Sequence, residues 1–208
     1  MADWATISSL ATASGTLVLA VATFASVRSA KRSTDLSELA LREQLRPVLV
    51  HSNLDDPVQK IMFGDGRWVS APGSGAAVEE SDGRFYLAIS VRNVGAGIGV
   101  LQGWYVWPEP HRGRDHVPLE EFRTQQRDFY IPPGGLGIWQ GGIYEPSDAF
   151  YDRVAAAHHG RNPFMLDLLY TDQAGAQRTI SRFSLTATEE RWMAGVTLHW
   201  HLDSAGPR

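Results

Sequence analysis

Hydrophobic and polar positions follow two different periods along this chain, and the period changes at Pro47. Before Pro47, apolar residues recur every three to four positions, as they do on one side of an α-helix. After Pro47, apolar and polar residues alternate in short runs, which is typical of half-buried β-strands. The pattern therefore predicts a helical N-terminal part followed by a β-rich domain.

The first part of the predicted helix has no ionisable side chain in the 24 residues between Asp3 and Arg28. At about 1.5 Å per residue, this length covers the roughly 30 Å hydrocarbon core of a bilayer. We therefore predict a transmembrane helix over residues 4–27, with the lipid bilayer as its partner and Trp4 at the interface. A cleaved signal peptide would carry its positive charges before the apolar run, whereas here they follow it.

Basic residues directly after the predicted span indicate its orientation. Arg28, Lys31 and Arg32 lie within one helical turn or so of its end. Because cationic residues are retained on the cytoplasmic side, we expect the N-terminus outside and the rest of the chain in the cytoplasm, at the inner membrane of the cell.

Small and hydroxylated residues occupy one side of the predicted span. Such residues let helices approach closely and form hydrogen bonds, so they favour self-association or docking onto another membrane protein. The alternative is a weakly hydrophobic span that merely tolerates small residues. The candidates for helix association are Ser8, Thr12, Gly15, Thr16, Ala22 and Ser26.

Residues 28–46 predict a helical stalk that continues from the span. The segment contains no Gly or Pro, and Glu38 precedes Arg42 by four positions, the favourable order for a helical ion pair. Pro47 disfavours helical geometry at Arg46, so we expect the helix to end there.

Residues 47–203 predict one antiparallel β-sandwich, with residues 204–208 as a tail. Turn residues separate about seven short strands, a spacing typical of sandwiches. Residues 65–82, rich in Gly, Ala, Ser and Pro, are interpreted as a long loop, and residues 148–158 as one short helix. The predicted strands are residues 47–53, 85–92, 98–107, 136–140, 164–171, 176–185 and 196–203.

Composition narrows the functional classes. The chain has 208 residues, a net charge of -4 and no cysteine. The charge argues against a nucleic-acid binder, which usually has a strongly basic domain. The lack of cysteine excludes disulfides, thiolate metal sites and cysteine nucleophiles.

The order of elements resembles a known type of protein. An anchor helix and a charged helix lead to Arg46-Pro47, a strand then runs into Asn93-Val94-Gly95-Ala96-Gly97, and a hairpin turns at Tyr170-Thr171-Asp172-Gln173-Ala174-Gly175. In these features the chain is similar to a loose group of uncharacterised single-pass bacterial membrane proteins with an immunoglobulin-like β-sandwich. The resemblance implies the fold and the topology, and it implies no catalytic residue.

Few residues suggest chemistry. The glycines at 95, 97 and 99 follow a strand, but a dinucleotide fingerprint needs a helix behind it, and residues 100–107 are strand-like. His199, His201 and Asp203 would share one face of a strand and form a candidate metal site, with His158 or His159 as a further ligand. The alternative is a solvated polar strand. No catalytic motif is present, no catalytic residue is nominated, and we expect no cofactor.

Aromatic residues give the clearest candidate interface. Trp104, Tyr105 and Trp107 lie on a strand with apolar residues on both faces, whereas a sandwich strand buries only one face in its core. The second face would meet the stalk, another subunit or a partner, or the internal helix would cover it. The sequence thus favours a non-enzymatic interaction or scaffold module, an accessory subunit of a membrane complex or a homo-oligomer through the helix. The alternative is a metal-dependent hydrolase or small-ligand binder that uses the His199, His201 and Asp203 face.

Overall fold

A computed structural model describes residues 4–107 and 113–203. The chain divides into two compact units, Met1–Gln44 and Leu45–Arg208. The first unit contains one continuous helix, α1 (Trp4–Gln44), of 41 residues. It ends just before Arg46-Pro47, as the proline requires, and Arg42 pairs with Glu38 at 2.6 Å. The predicted uninterrupted helix is confirmed, and the tail at 204–208 lies outside the described residues.

Within the part of the chain that the structure describes, no helix combines the length and the apolar character that crossing a membrane requires.

The second unit is mainly β. One helix, α2 (Tyr151–Gly160), interrupts its strands, and it begins three residues later than the predicted helix at 148–158. A short 3-10 helix lies at Leu119–Glu121. The strands are β1 (Leu49–His51), β2 (Gln59–Met62), β3 (Trp68–Ala71), β4 (Gly75–Ser81), β5 (Arg84–Asn93), β6 (Gly99–Val106), β7 (Arg123–Ile131), β8 (Leu136–Ile143), β9 (Phe164–Thr171), β10 (Arg178–Ala187) and β11 (Trp192–His201).

Nine of these strands form one antiparallel sheet that curls on itself. From β5 the order runs β4, β11, β10, β9, β6 and β7, while β8 pairs with the opposite edge of β5 and β1 pairs with β5 beyond the end of β4. The curl brings the two end strands, β7 and β8, side by side, where Gln125 donates a hydrogen bond to the Gln140 carbonyl at 3.0 Å. The prediction of a mainly β, antiparallel fold is confirmed, and its immunoglobulin-like form stays a prediction.

Large side chains from all parts of the sheet fill its interior. Trp139, Phe183 and Leu87 are fully buried there, and Val154 of α2 packs against the same cluster. A second, smaller core lies between the two-stranded sheet β2–β3 and the outer face of β5, where Phe63 meets Tyr86 edge-on at 5.0 Å. β5 is therefore buried on both faces, which explains its near-continuous apolar sequence.

The prediction of a long loop at residues 65–82 is wrong. This segment forms β3 and β4, and it buries Val69, Ala71 and Ala77 against β5. Small residues suit a tight contact between a two-stranded sheet and the strand beneath it. Turn-forming composition therefore conceals two strands. β2 and β7 are also absent from the predicted strands, whereas the β9–β10 hairpin is confirmed.

Candidate functional site

The three side chains predicted as metal ligands do not share one strand face. β11 ends at His201, so Asp203 lies beyond it in a turn, where strand alternation no longer applies. Both carboxylate oxygens of Asp203 accept hydrogen bonds from Arg46, at 2.8 and 2.5 Å. Among the described residues, no three His, Asp or Glu side chains are grouped so that they could hold a metal ion. The structure therefore does not bring His199, His201 and Asp203 together as a metal centre.

His199 belongs instead to a chain of polar groups that leads into the interior. Its Nδ1 lies 2.7 Å from Ser181 Oγ, which lies 2.9 Å from the hydroxyl of Tyr170. Burial raises the pKa of Tyr170 to about 12, and burial, with a smaller effect from His201, lowers the pKa of His199. A serine beside a histidine is the arrangement of a nucleophile and its base. Ser181 is fully buried, however, so this pair joins strands and is closed to a substrate.

The glycine-rich turn after β5 is explained by a close backbone approach. A Cβ on Gly97 would lie 1.7 Å from the Leu45 carbonyl oxygen, and one on Gly95 would lie 2.2 Å from that of Arg46. The turn is also fixed by Asn93, whose Oδ1 accepts hydrogen bonds from the backbone N–H groups of Val48 and Gly95. Because these glycines lack a Cβ, the backbone of residues 45–46 can lie against the turn where the chain enters the domain. A strand, and not a helix, follows them.

The candidate interface residues Trp104 and Tyr105 lie inside the domain. Their exposed fractions are 3% and 8%. The Trp104 ring contacts Trp139 and Phe150 at centroid distances of 5.4 and 5.2 Å, and Arg153 of α2 donates a hydrogen bond to the Tyr105 hydroxyl at 3.2 Å. The segment at the start of α2 therefore covers this face, which is the alternative that the sequence leaves open.

Trp107 is engaged at a buried ion pair. Its indole N–H donates to Asp167 Oδ2 at 2.8 Å. Asp167 in turn accepts two hydrogen bonds from Arg182, at 2.7 and 2.8 Å, and both members of this pair are fully buried. The Arg182 guanidinium lies over the Trp107 and Trp200 rings, at 4.4 and 4.8 Å, and donates to carbonyls in the segment 113–115. This cluster holds the loop before β7 on the sheet.

A different pair of apolar side chains is exposed. Trp68 and Met62 are cross-strand partners in the β2–β3 hairpin, with exposed fractions of 64% and 45%. Their neighbours Ile61 and Val69 point to the other face, where they pack on β5. Trp is among the residues most often found at binding hot spots, and Met is enriched at interfaces.

Arg127 of β7 lies beside this pair. Its guanidinium donates to the Met62 carbonyl and to Gln140 Oε1, and it lies 5.3 Å from the Phe129 ring. The structure shows no salt bridge of Arg127 to a carboxylate within the described residues. A groove of about 330 Å³ is lined by Met62, Phe63, Gly64, Gly66, Gln126, Arg127 and Gln140. We call Met62, Trp68 and Arg127 the hairpin surface.

Polar contacts fix the hairpin surface on the domain. In the β2–β3 turn, Asp65 accepts a hydrogen bond of 2.5 Å from the Tyr86 hydroxyl, and this bond holds the pKa of Asp65 below its ordinary value. Arg67 pairs with Glu79 of β4 at 2.9 Å. Trp68 is thus presented from a held strand, not from a free loop.

Sequence reasoning misses the hairpin surface because Trp68 lies in the segment interpreted as a loop. A signal is present: Trp68 and Ser70 alternate with Val69 and Ala71, which is the pattern of a half-buried strand. No pattern of one sequence could place Arg127 beside Met62, 65 positions away.

The candidates for helix association all lie on α1. Ala22 and Ser26 are exposed on one side of it, and the Ser26 hydroxyl donates to the Ala22 carbonyl at 2.8 Å. A Cβ added at Gly15 would meet no atom of the described residues within 4 Å, and Thr16 is exposed. The side chains of Ser8 and Thr12 lie outside the described ones, so association stays a prediction.

No protein-family model, no curated protein and no solved structure matches the chain.

Proposed function

We propose that the chain is a non-enzymatic interaction module that binds a protein partner through the hairpin surface. The observation that carries this proposal is the exposed cross-strand pair of Trp68 and Met62 beside Arg127, on strands held by buried contacts. An aromatic anchor, a flexible thioether and a cation without a carboxylate partner in the described residues are the groups that interfaces favour. Ser181 is buried, and the Asp203 carboxylate is bound by Arg46. Both observations also favour a non-enzymatic role.

The experiment that tests this binding is site-specific photo-crosslinking of the full chain in its native cells. A photoreactive phenylalanine replaces Trp68 in one variant and Val94 in the control, because Val94 is also well exposed, at 58%. We expect a discrete cross-linked protein from position 68 and none from position 94. Adding the substitution Met62→Glu to the position-68 variant should abolish this cross-link. Equal cross-linking at both positions, or none at either, would contradict the proposal.

The location of the module is a separate part of the proposal and rests on the sequence. We propose that α1 attaches the chain to the cell membrane, with the domain on the cytoplasmic side, because 24 residues between Asp3 and Arg28 carry no ionisable group. Leu17, Leu19 and Phe24 are exposed along it. The Thr23 and Ser26 hydroxyls donate to carbonyls one turn earlier, which reduces the cost of placing them in an apolar environment.

Fractionation and a topology reporter test this attachment. We expect the full chain to stay with membranes after washing with alkaline carbonate and to be released by detergent. A reporter that is active only outside the cytoplasm, fused to the C-terminus, should be inactive. Release by carbonate or an active reporter would overturn the assignment. We also propose, from the same sequence features, that the domain is an immunoglobulin-like sandwich and that the chain is similar to single-pass membrane proteins.

A further inference from the structure

The backbone ladder of the β2–β3 hairpin determines which of its polar groups are used. At its turn, the Phe63 N–H donates to the Arg67 carbonyl at 2.8 Å. Hydrogen-bonded and non-hydrogen-bonded pairs alternate along an antiparallel ladder, and this ladder has no irregularity. Residues 67, 69 and 71 therefore direct their backbone groups to β2, whereas those of Trp68 and Ser70 point away from it.

The two outer edges of the hairpin differ. On the β2 side, the Met62 carbonyl points away from β3 and accepts a hydrogen bond from Arg127, as the alternation requires for the partner of Trp68. On the β3 side, no hydrogen bond within the described part of the chain uses the N–H or C=O groups of Trp68 and Ser70. We call these backbone groups the free edge. An unpaired edge of this kind is a template for another strand.

The space beside the free edge is open to solvent. β2 and β3 form a sheet of two strands, so no other strand of the described residues continues this sheet beyond β3. Trp68 and Ser70 are exposed. In the layer beneath, Glu79 lies two residues after Ala77 on the face of β4 that the hairpin partly covers, and the Glu79 side chain is 38% exposed. A strand added to β3 would therefore replace water and not protein.

The outer face of the hairpin carries an unmatched positive charge close to the free edge. Lys60 is exposed and is the cross-strand partner of Ser70. The described residues include no salt bridge of Lys60 to a carboxylate. The carboxylates of Asp65 and Glu79 at this hairpin already bind other residues of the domain. Because Ser70 is small, the Lys60 side chain can extend across it toward a carboxylate on a strand beyond β3.

We propose that the free edge accepts an extended segment of a partner protein as a third strand of the hairpin sheet, with an acidic side chain of that segment paired with Lys60. The unpaired N–H and C=O groups select a main chain in extended conformation, and the ammonium group selects a carboxylate. The Trp68 ring packs against the side chain opposite it on the added strand. This inference rests on the proposed function, because it names the form in which the partner of the hairpin surface binds.

Two substitutions at one position test the backbone contact in the full chain. Ser70→Pro removes an N–H that points away from β2, and proline is tolerated in an edge strand at such a position. Ser70→Ala is the matched control, because it removes the side chain and keeps the N–H. With a photoreactive phenylalanine at Met62 in native cells, we expect Ser70→Pro to abolish the cross-link to the partner and Ser70→Ala to retain it. Equal cross-linking in both variants would overturn strand addition.

A second measurement needs no substitution in the hairpin, so it also decides the case in which Ser70→Pro fails to fold. Displayed random peptides of about 10 residues are selected on the purified full chain in mild detergent, and the most enriched peptide is the probe. We expect a β-prone sequence with at least one Asp or Glu. Its binding should slow hydrogen exchange in residues 68–71, and methylation of alternate backbone nitrogens of the peptide should abolish it. Slower exchange only outside this segment would overturn the inference.

Charge variants test the contact with Lys60. Lys60→Gln should weaken binding of the selected peptide by about two- to fivefold, the range expected for an exposed ion pair, and Lys60→Arg should weaken it less. Arg178→Gln is the matched control, since Arg178 is exposed at the start of β10 in the other sheet. Replacing the peptide carboxylate by its amide should weaken binding as much as Lys60→Gln. Equal weakening by Lys60→Gln and Arg178→Gln would overturn the acidic contact.

The outcomes separate this inference from the proposed function. Cross-linking from position 68 that persists in Ser70→Pro, or that occurs although no peptide is selected, would overturn strand addition while the hairpin surface remains a binding site. A cross-linked product made of two copies of this chain would identify a second copy as the occupant and overturn the assignment to a different protein. Absence of both cross-linking and selected peptides would remove both proposals.

Discussion

Arg46 and Asp203 are 157 positions apart in the chain, and two hydrogen bonds of 2.8 and 2.5 Å join their side chains. Arg46 is the residue that precedes Pro47 at the start of the domain, and Asp203 follows the last strand. The Arg46 side chain is 5% exposed, whereas that of Asp203 is 35% exposed. The pair therefore fixes a largely buried cation with a carboxylate that water still reaches.

Removing this carboxylate charge should destabilise the domain. In Asp203→Asn, Arg46 keeps one neutral acceptor in place of a bidentate carboxylate, and we expect a loss of about 1–3 kcal/mol in the free energy of unfolding. Denaturant unfolding of the purified chain measures it. Glu190→Gln, at an exposed position in the turn before β11, is the control and should change stability by less than about 0.5 kcal/mol. Equal effects of the two changes would contradict the role of the pair.

The same variant should change the pH dependence of stability. The Arg46 hydrogen bonds hold the pKa of Asp203 below its ordinary value of 3.8. A carboxyl with a lowered pKa in the folded state stabilises it above the ordinary value, and this contribution is lost as the pH falls below it. The difference in unfolding free energy between the unchanged chain and Asp203→Asn should therefore be constant above about pH 5 and shrink toward acid pH. A difference that grows on acidification would contradict this assignment.

Substitution in the buried pair of Asp167 and Arg182 should lower the free energy of unfolding more than substitution in an exposed ion pair. Asp167→Asn leaves the Arg182 charge without its carboxylate in a fully buried position, and we expect a loss of about 3–5 kcal/mol. Replacing both residues together, Asp167→Leu with Arg182→Met, should recover part of that loss, because no buried charge remains. Thermal unfolding of the three variants gives the order, and a double variant less stable than Asp167→Asn would contradict it.

A methyl group at Gly97 should be poorly tolerated. Its Cβ would lie 1.7 Å from the Leu45 carbonyl, so the turn or the incoming chain must move, and we expect a loss of at least about 2 kcal/mol. Gly195→Ala is a matched control in a strand, because a Cβ there meets nothing within 4 Å among the described residues. It should be neutral or slightly stabilising. Comparable unfolding midpoints for both variants would show that the approach of Leu45 is not constrained.

Two tryptophans should separate a binding role from a packing role. Trp104→Ala should destabilise the domain by about 3–5 kcal/mol, because its ring lies in the interior. Trp68→Ala should change stability by less than about 1 kcal/mol and should abolish cross-linking of a partner through a probe placed at Met62. Loss of stability in Trp68→Ala would indicate instead that this ring supports the β2–β3 hairpin.

The sequence predicted the periodic parts of the fold well. The change at Pro47, the helix before it and the β9–β10 hairpin all follow from local patterns, because each depends on neighbouring residues. Position in space does not follow from such patterns. Trp104 and Trp68 both lie on strands, yet Trp104 is covered by Phe150 at the start of α2 and Trp68 is exposed. Asp203 continues the alternation of β11 in sequence, but the strand ends at His201 and Arg46 binds the Asp203 carboxylate.

Because the side chains of Arg46 and Asp203 touch, the chain segment that enters the β-rich unit lies beside the segment that follows its last strand. A unit whose ends meet needs only one point of connection to any larger chain. It can be inserted into a surface loop of an unrelated protein, or its ends can be joined and new ones opened at an exposed turn such as residues 172–175, without unfolding the sheet. The ion pair of Arg46 and Asp203 therefore holds the two ends of the domain in the arrangement that domain insertion and circular permutation require.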